Sequence, residues 1–393
     1  MLIKTNRIET IDLLRGVVMV LMALDHTRDY FHIGNSISDP TDLETTTPFL
    51  FFTRFITHYC APVFIFLAGT SAFLYGSRKT KPQLFKFLFT RGLWLIFLEI
   101  VLNNLIWQFD PEYNLIVLQV IWAIGLCMVG LSFLIFLPKK ILLVIGAILI
   151  AAHNTFDSFT FEGSNIRSIL WYIFHQRQGI PLGEDHFIIF AYPIAPWLGV
   201  MVLGYCFGVL YSKDFNAVTR KKWLLQFGLF AIAAFFIIRG INIYGDMVPW
   251  TKQKNFVFTV LSFFNVTKYP PSLLYVLITL GPAMLFLYAF EGIKTKITDF
   301  FIVFGRVPLF YYFLHVLLIH ALAILGILIL GGSLSDLTAS RGGLSPSSIA
   351  AYGYSLFVVY IVWNIIIAIL YPICKKYMRY KAKNKAKWWL SYL

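Results

Sequence analysis

Apolar residues in this chain neither alternate nor recur on one helical face; they run in long blocks. The blocks lie near 11–31, 56–76, 85–108, 115–137, 139–153, 187–211, 222–243, 270–290, 307–330 and 350–374. Most reach the roughly 20 residues that a helix needs to cross a bilayer. The block at 139–153 is short, and the stretch at 254–264 (NFVFTVLSFFN) is long enough only for an interfacial or re-entrant piece. The pattern predicts an all-α, polytopic membrane bundle of about ten transmembrane helices. The first block has charges at both ends and no small-residue cleavage site, so it reads as the first helix and not as a signal peptide.

Charge gives these blocks a direction. Basic residues cluster in every second connection and at both ends: Lys4, Arg7 and Arg15; Arg78, Lys79, Lys81, Lys86 and Arg91; Lys139 and Lys140; Lys213, Arg220, Lys221 and Lys222; Lys294, Lys296 and Arg306; then Lys375 to Lys387. Positive loops are retained in the cytoplasm, so the alternation predicts that both termini lie there. Arg28, Arg54, Arg167, Arg177, Arg239, Lys252, Lys254, Lys268 and Arg341 fall on the other side and require a separate explanation. The outer loops, 32–55, 154–186, 244–269 and 331–349, are the long ones, which points to chemistry on the outer face. Residues 1–374 read as a single transmembrane domain. Residues 375–393 read as a basic, aromatic tail lying on the membrane surface.

Composition agrees. The 393 residues are 59% hydrophobic and 13% charged, with a net charge of +14. With the cations gathered between apolar blocks, that charge indicates a membrane face, not nucleic acid. Cys60, Cys127, Cys206 and Cys374 are scattered in apolar stretches, with neither metal-ligand spacing nor a disulfide framework. No metal is expected.

The first helix carries the densest chemistry. Asp12 and Arg15 share a face near its cytoplasmic end, and Asp25, His26, Arg28 and Asp29 crowd its outer end. Arg15 and His26 are eleven residues apart, roughly 16 Å along the axis. A cation near the inner surface can hold a phosphorylated donor whose reactive end extends to the imidazole. Asp12 and Arg15 are equally readable as an interfacial ion pair. Asp29, three residues after His26, can reach it and steady the imidazolium; Asp25 faces elsewhere. Further candidates for substrate contact are Arg28, His58, the HNTFD run with His153 and Asp157, then Arg239, Asn242, Asp246, Lys268 and His315. For each a packing or capping role is the plainer alternative. Ser71, in the small-residue run FLAGTSAF, marks close helix packing or a passage for a slim ligand arm. Glu99, Asn103, Asn104 and Asn364, polar within apolar blocks, fit instead a transporter of a glycan precursor, although no inverted repeat is visible.

Taken together, RIETIDLLRGVVMVLMALDH, FLAGTSAF, YPIAPWLGVMVLGY, KYPPSLLY and GRVPLFYYFLH resemble the bacterial relatives of heparan-α-glucosaminide N-acetyltransferase over nearly the whole chain. The resemblance implies a multi-pass enzyme of a bacterial inner membrane. It would move an acetyl group from cytoplasmic acetyl-CoA to an amine or hydroxyl of a sugar or cell-envelope glycan outside, with a dimer among its possible states. It also implies Arg15 toward CoA and His26 near the transfer point; Asp12 and Ser71 are further candidates for the CoA side, and Asp25 and Asp29 for the catalytic side. His26 would act as a base or itself receive the acetyl group. In the eukaryotic lysosomal enzymes the position matching His26 is an asparagine and the catalytic histidine follows in the lumenal loop. That leaves His26, His32 and His58 as candidates for the base.

Overall fold

The computed structural model describes residues 8–33, 39–329, 331, 353–384 and 386–391. It is mostly helical, with 71% of residues in helices. Lys4, Arg7, Arg341, Lys385 and positions 332–349 of the fourth outer loop lie outside the described residues. The first apolar block forms α1 (Glu9–Phe31). The second is preceded by α2 (Pro48–Thr57), whose N-cap Thr47 accepts from Leu50 N, and continues as α3 (Cys60–Gly76). Among the described residues six helical spans are long and apolar enough to cross a membrane: Pro48–Gly76, Ile194–Tyr211, Ala217–Ile241, Leu273–Phe290, Pro308–Ile329 and Leu356–Lys383. The chain is a multi-pass membrane protein on this measure.

The remaining apolar blocks fold less simply. Block 85–108 is α4 (Lys81–Leu98), one wide π turn at Glu99–Asn103, then α5 (Asn104–Gln108). Block 115–137 opens with strand β1 (Leu115–Leu118) before α6 (Val120–Leu134). The short fifth block is α7 (Lys139–Ala151), followed by a 3-10 turn at His153–Phe156. After α8 (Ile166–Phe174) come β2 (Gln178–Leu182) and β3 (His186–Phe190), then α9 (Ile194–Phe207). The three strands form one sheet in the order β1-β3-β2, with β1 parallel and β2 antiparallel to β3. Hydropathy does not separate a short apolar strand from the start of an apolar helix, so β1 and β3 were hidden in two expected spans, while β2 lies in the outer loop 154–186. The chain then forms α10 (Ala217–Ile241), α11 (Phe256–Phe264), α12 (Leu273–Phe290), α13 (Lys296–Arg306), α14 (Pro308–Ile329) and α15 (Leu356–Lys383). The nine-residue α11 is the short piece expected at 254–264. Helix α15 runs through Cys374, so the basic tail begins as helix.

These elements divide into two compact units. One comprises Met1–Cys60, Leu105–Pro111 and Phe290–Leu393, the other Ala61–Asn104 and Glu112–Ala289. In the second unit the π turn has a visible cause. Glu99 is fully buried, and its carboxylate accepts from Asn103 Nδ2 (2.8 Å), Gln119 N (3.2 Å) and Trp122 N (3.1 Å). Asn104 donates to Glu99 O and accepts from Val117 N. These residues therefore serve the backbone of the strand and helix that follow, where unmet N–H groups in an apolar medium cost several kcal/mol each. The FLAGTSAF run packs as read: a Cβ on Gly69 would overlap Met201 O of α9, one on Gly204 would overlap Phe66 O, and Thr70 Oγ1 donates to Gly204 O at 3.0 Å.

In the first unit the same close approach joins α1 to α13. A Cβ on Gly16 would run into Phe301 O, and one on Gly305 into Asp12 O. Both obstacles are backbone, which cannot swing aside. Gly305→Val is expected to destabilise the protein by about 3 kcal/mol or more, at the upper end of overpacking costs. The check is a lower midpoint in a detergent thermal melt, against an unchanged or slightly higher midpoint for Gly240→Ala, where a Cβ meets nothing within 4 Å.

Candidate functional site

Everything that follows at α1 lies within the first unit. At the N-terminal end of α1, Arg15 Nη1 bonds Asp12 Oδ1 (3.3 Å) and Gly305 O (3.3 Å). Asp12 Oδ2 takes Arg306 Nε at 3.3 Å, Arg306 Nη2 lies 3.8 Å from Glu9 Oε1, and Lys294 Nζ lies 2.6 Å from Glu9 Oε2. Arg15 and Asp12 thus form the ion pair foreseen as one reading, inside a lattice of three cations and two carboxylates. Three cations against two carboxylates leave the lattice one positive charge in excess. Glu9, Lys294 and Arg306 were not singled out in the sequence, because the last two reach α1 from almost 300 positions away.

At the other end Asp25 accepts hydrogen bonds from two groups and is ion-paired with a third. Arg54 Nη1 lies at 2.6 Å and Thr57 Oγ1 at 2.8 Å, while Arg28 Nη1 is 2.8 Å from Oδ1. Arg28 is 2% exposed, and its Nη2 donates to Asp29 Oδ1 at 2.7 Å. Two acids and two guanidiniums balance each other. This accounts for two of the cations that broke the charge pattern, and assigns Asp25 and Arg28 to one buried network.

His26 projects from the same turn into an aromatic wall. Trp107 meets its ring edge-on at 4.8 Å and Tyr312 at 6.0 Å. Tyr30 Oη donates to Trp107 O (2.7 Å), Trp107 Nε1 donates to Tyr312 Oη (3.2 Å), and His320 Nδ1 donates to Ile106 O (3.0 Å). Three side chains thereby hold α5 against α1 and α14. The partner seen at His26 Nδ1 is Nε2 of His315, 2.7 Å away. Sequence spacing pointed to Asp29 for that role. His315 itself was noted only as a candidate substrate contact, since nothing in local spacing links it to His26. His32 closes α1 through a backbone bridge to Tyr354. Burial, then the charge on Arg28, holds its imidazole below the ordinary histidine range. His58 is buried beside Phe55.

The other expected residues lie in the second unit. Arg239, 1% exposed, donates to Phe263 O, Val248 O, Ser262 O and Asn265 O. Asn242 pairs twice with the Trp250 backbone, and Asp246 accepts from Val248 N, Thr267 N, Thr267 Oγ1 and Ser272 Oγ. Together they shape the loop between α10 and α12. His153 donates from Nδ1 to Ile150 O (2.9 Å), Asn154 donates to Asp157 Oδ2 (2.8 Å), and His175 Nε2 lies 3.2 Å from Asp157 Oδ1. His153 thus serves the Ile150 carbonyl, and Asp157 takes Asn154 and His175, in keeping with a loop-anchoring role. Lys268 and Arg177 both lie over the Tyr269 ring, at 5.0 and 5.1 Å. Ser71 donates to Leu67 O within its own helix. Among the described residues no group of three or more His, Cys, Asp or Glu stands in metal-binding geometry.

Removing one member of the Asp25 network should cost more than removing a pair. Asp25→Leu leaves two buried guanidiniums, Arg28 and Arg54, with Asp29 as the one remaining carboxylate of the network and is expected to destabilise by about 3–5 kcal/mol. Adding Arg54→Met to it should recover part of that loss, which a double-mutant cycle of thermal melts measures.

A family profile described as heparan-alpha-glucosaminide N-acetyltransferase, catalytic, matches residues 7–245. No curated protein sequence matches the chain. The matched segment covers more than half of the residues, including α1 with Arg15, Asp25 and His26, and the chain belongs to the heparan-alpha-glucosaminide N-acetyltransferase catalytic family.

Proposed function

We propose that the protein is a transmembrane acetyltransferase that takes acetyl from acetyl-CoA on the cytoplasmic side. It passes the group to an amine or hydroxyl of a sugar or cell-envelope glycan on the opposite side of a bacterial inner membrane. One observation carries this reading. A single buried helix presents a cationic lattice at one end and, roughly 16 Å along its axis, an imidazole walled by aromatic rings. Arg15, Lys294 and Arg306 offer the charge that CoA phosphates require, and Asp12 and Glu9 hold those cations in place. At the far end His26 removes a proton from the acceptor as it attacks the thioester. Positioning and proton removal are the main tasks in such a transfer, because a neutral amine attacks a thioester readily.

The transporter reading is weaker. It rests on Glu99, Asn103, Asn104 and Asn364: Asn103 donates to Glu99, Glu99 and Asn104 serve neighbouring backbone, and Asn364 donates to Tyr360 O within its own helix.

Labelled acetyl-CoA and a panel of amino sugars, with protein in sealed vesicles of known orientation, test the proposal. His26→Ala is expected to lower transfer by about 10²-fold or more while remaining folded. Lys294→Glu with Arg306→Gln is expected to raise KM for acetyl-CoA with a smaller change in kcat. Full transfer by His26→Ala would sink the role given to His26. Failure of the wild type to bind acetyl-CoA would sink the donor.

A further inference from the structure

The two histidines at the outer end of α1 form a directional pair. His315 Nδ1 lies 2.9 Å from Tyr311 O, four residues earlier on α14. A carbonyl oxygen only accepts, so this nitrogen carries a proton. In a neutral imidazole the other nitrogen is then bare, so His315 Nε2 can only accept. The 2.7 Å contact with His26 therefore contains a proton belonging to His26 Nδ1. The rings are inclined by 8° with centroids 4.9 Å apart. That separation equals the nitrogen–nitrogen distance plus one ring radius on each side. The rings lie edge to edge in a common plane, as an N–H···N bond requires. The remaining nitrogen of His26, Nε2, is the acceptor.

Resting on the acetyltransferase reading above, we propose that His315 is the positioning residue of this site. It fixes His26 in the Nδ1–H tautomer, keeps the Nε2 lone pair for the acceptor's proton, and shares the charge that results. When the acceptor's nitrogen or oxygen bonds the acetyl carbon and the carbon–sulfur bond breaks, the acceptor's proton moves to His26 Nε2. The Nδ1 proton then sits between two rings, and Tyr311 O steadies the far side through His315 Nδ1–H. The proton on Nε2 finally passes to the departing thiolate, leaving both histidines neutral as before. In hydrolases a carboxylate does this work for a histidine. Here a neutral imidazole does it, which avoids placing an uncompensated anion in an apolar site. The charged groups around the pair are Asp25, Arg28 and Asp29 on α1 and Arg54 on α2, and these balance one another. The uncharged titratable neighbours are Tyr30, Tyr311, Tyr312 and His320. His315 lies beyond the segment that the family profile matches.

The test compares His315→Gln, whose amide oxygen retains an acceptor, with His315→Leu, which has none. Two readouts are followed against pH: kcat/KM for acetyl transfer, and the rate at which diethyl pyrocarbonate modifies His26, quantified by peptide mass spectrometry. In His315→Leu the imidazolium of His26 loses its acceptor, so the acid-side midpoint should fall by about one pH unit in both readouts. Transfer at neutral pH should drop by about 10²-fold, with KM nearly unchanged. His315→Gln should keep the wild-type midpoint and most of the rate. A merely structural role would lower yield or rate without moving the midpoint. An unmoved midpoint in His315→Leu, or a glutamine variant that shifts as far as leucine, would overturn the proposal. Should the leucine variant not fold, His315→Met gives the same comparison. Without any acetyl transfer by the wild type, the diethyl pyrocarbonate midpoint still decides the role of His315, and only the acetyltransferase reading fails.

Discussion

Eight charged or titratable side chains on one helix, Glu9, Asp12, Arg15, Asp25, His26, Arg28, Asp29 and Tyr30, set the terms for the first unit. In an apolar medium an ionised group without a partner costs several kcal/mol. The N-terminal carboxylates of α1 are answered by Arg306 and Lys294, and Asp25 by Arg28 and Arg54. His26 is answered by His315. Even uncharged backbone is drawn in: Trp363 Nε1 donates to Val20 O at 2.8 Å, and Cys60 Sγ contacts Val18 O at 3.3 Å. The packing of α13, α14 and α15 on α1 follows from this demand, and the glycine contact at Gly16 and Gly305 brings α13 close enough to meet it.

The same demand separates functional polarity from structural polarity. Arg239 and Glu99 are as unusual in apolar segments as His26 is. Yet four carbonyls take up Arg239, and three donors take up Glu99. All four partners of Arg239 and two of the three of Glu99 are backbone groups that a bent chain leaves open, so each side chain repairs a local break in regular structure. The helix around His26 is unbroken, so no backbone vacancy explains its imidazole. Its partner is a second side chain, and the arrangement leaves one nitrogen as an acceptor. That difference in partner type is the physical ground for seeking chemistry at α1.

What the sequence revealed followed the range of each signal. Hydropathy sums over a block, so the apolar segments were legible. The identity of α1 as the polar helix was equally legible, because Asp12, Arg15 and the DHTRD run are local. Small residues in FLAGTSAF announced close packing that Gly69 and Gly204 deliver. Strands β1 and β3 were not legible, because four or five apolar residues look alike in a strand and at a helix start. Nor were the partners of α1. His315 stands 289 positions from His26 and Arg306 stands 294 from Asp12, and no spacing rule spans such distances. Spacing favoured Asp29 as the partner of His26 because i,i+3 neighbours on a helix meet. Spacing within one helix says nothing of a second helix that reaches the ring from another direction.

The family match and the site therefore divide the chain differently. Residues 7–245 contain every polar group that α1 itself contributes. Some of the groups that satisfy them, Arg54, Thr57, Cys60 and Trp107, lie inside that segment, but Lys294, Gly305, Arg306, His315 and Trp363 follow position 245. Helices after the matched segment thus complete the site, and the first unit is assembled from three separate stretches of sequence. A fragment ending at 245 would keep the motif and lose its partners. Arg15 would lack Gly305, Asp12 would lack Arg306, and His26 would lose the ring that fixes its tautomer. The chemistry proposed for α1 is therefore a property of the helix together with α13, α14 and α15, and cannot be assigned to the motif alone.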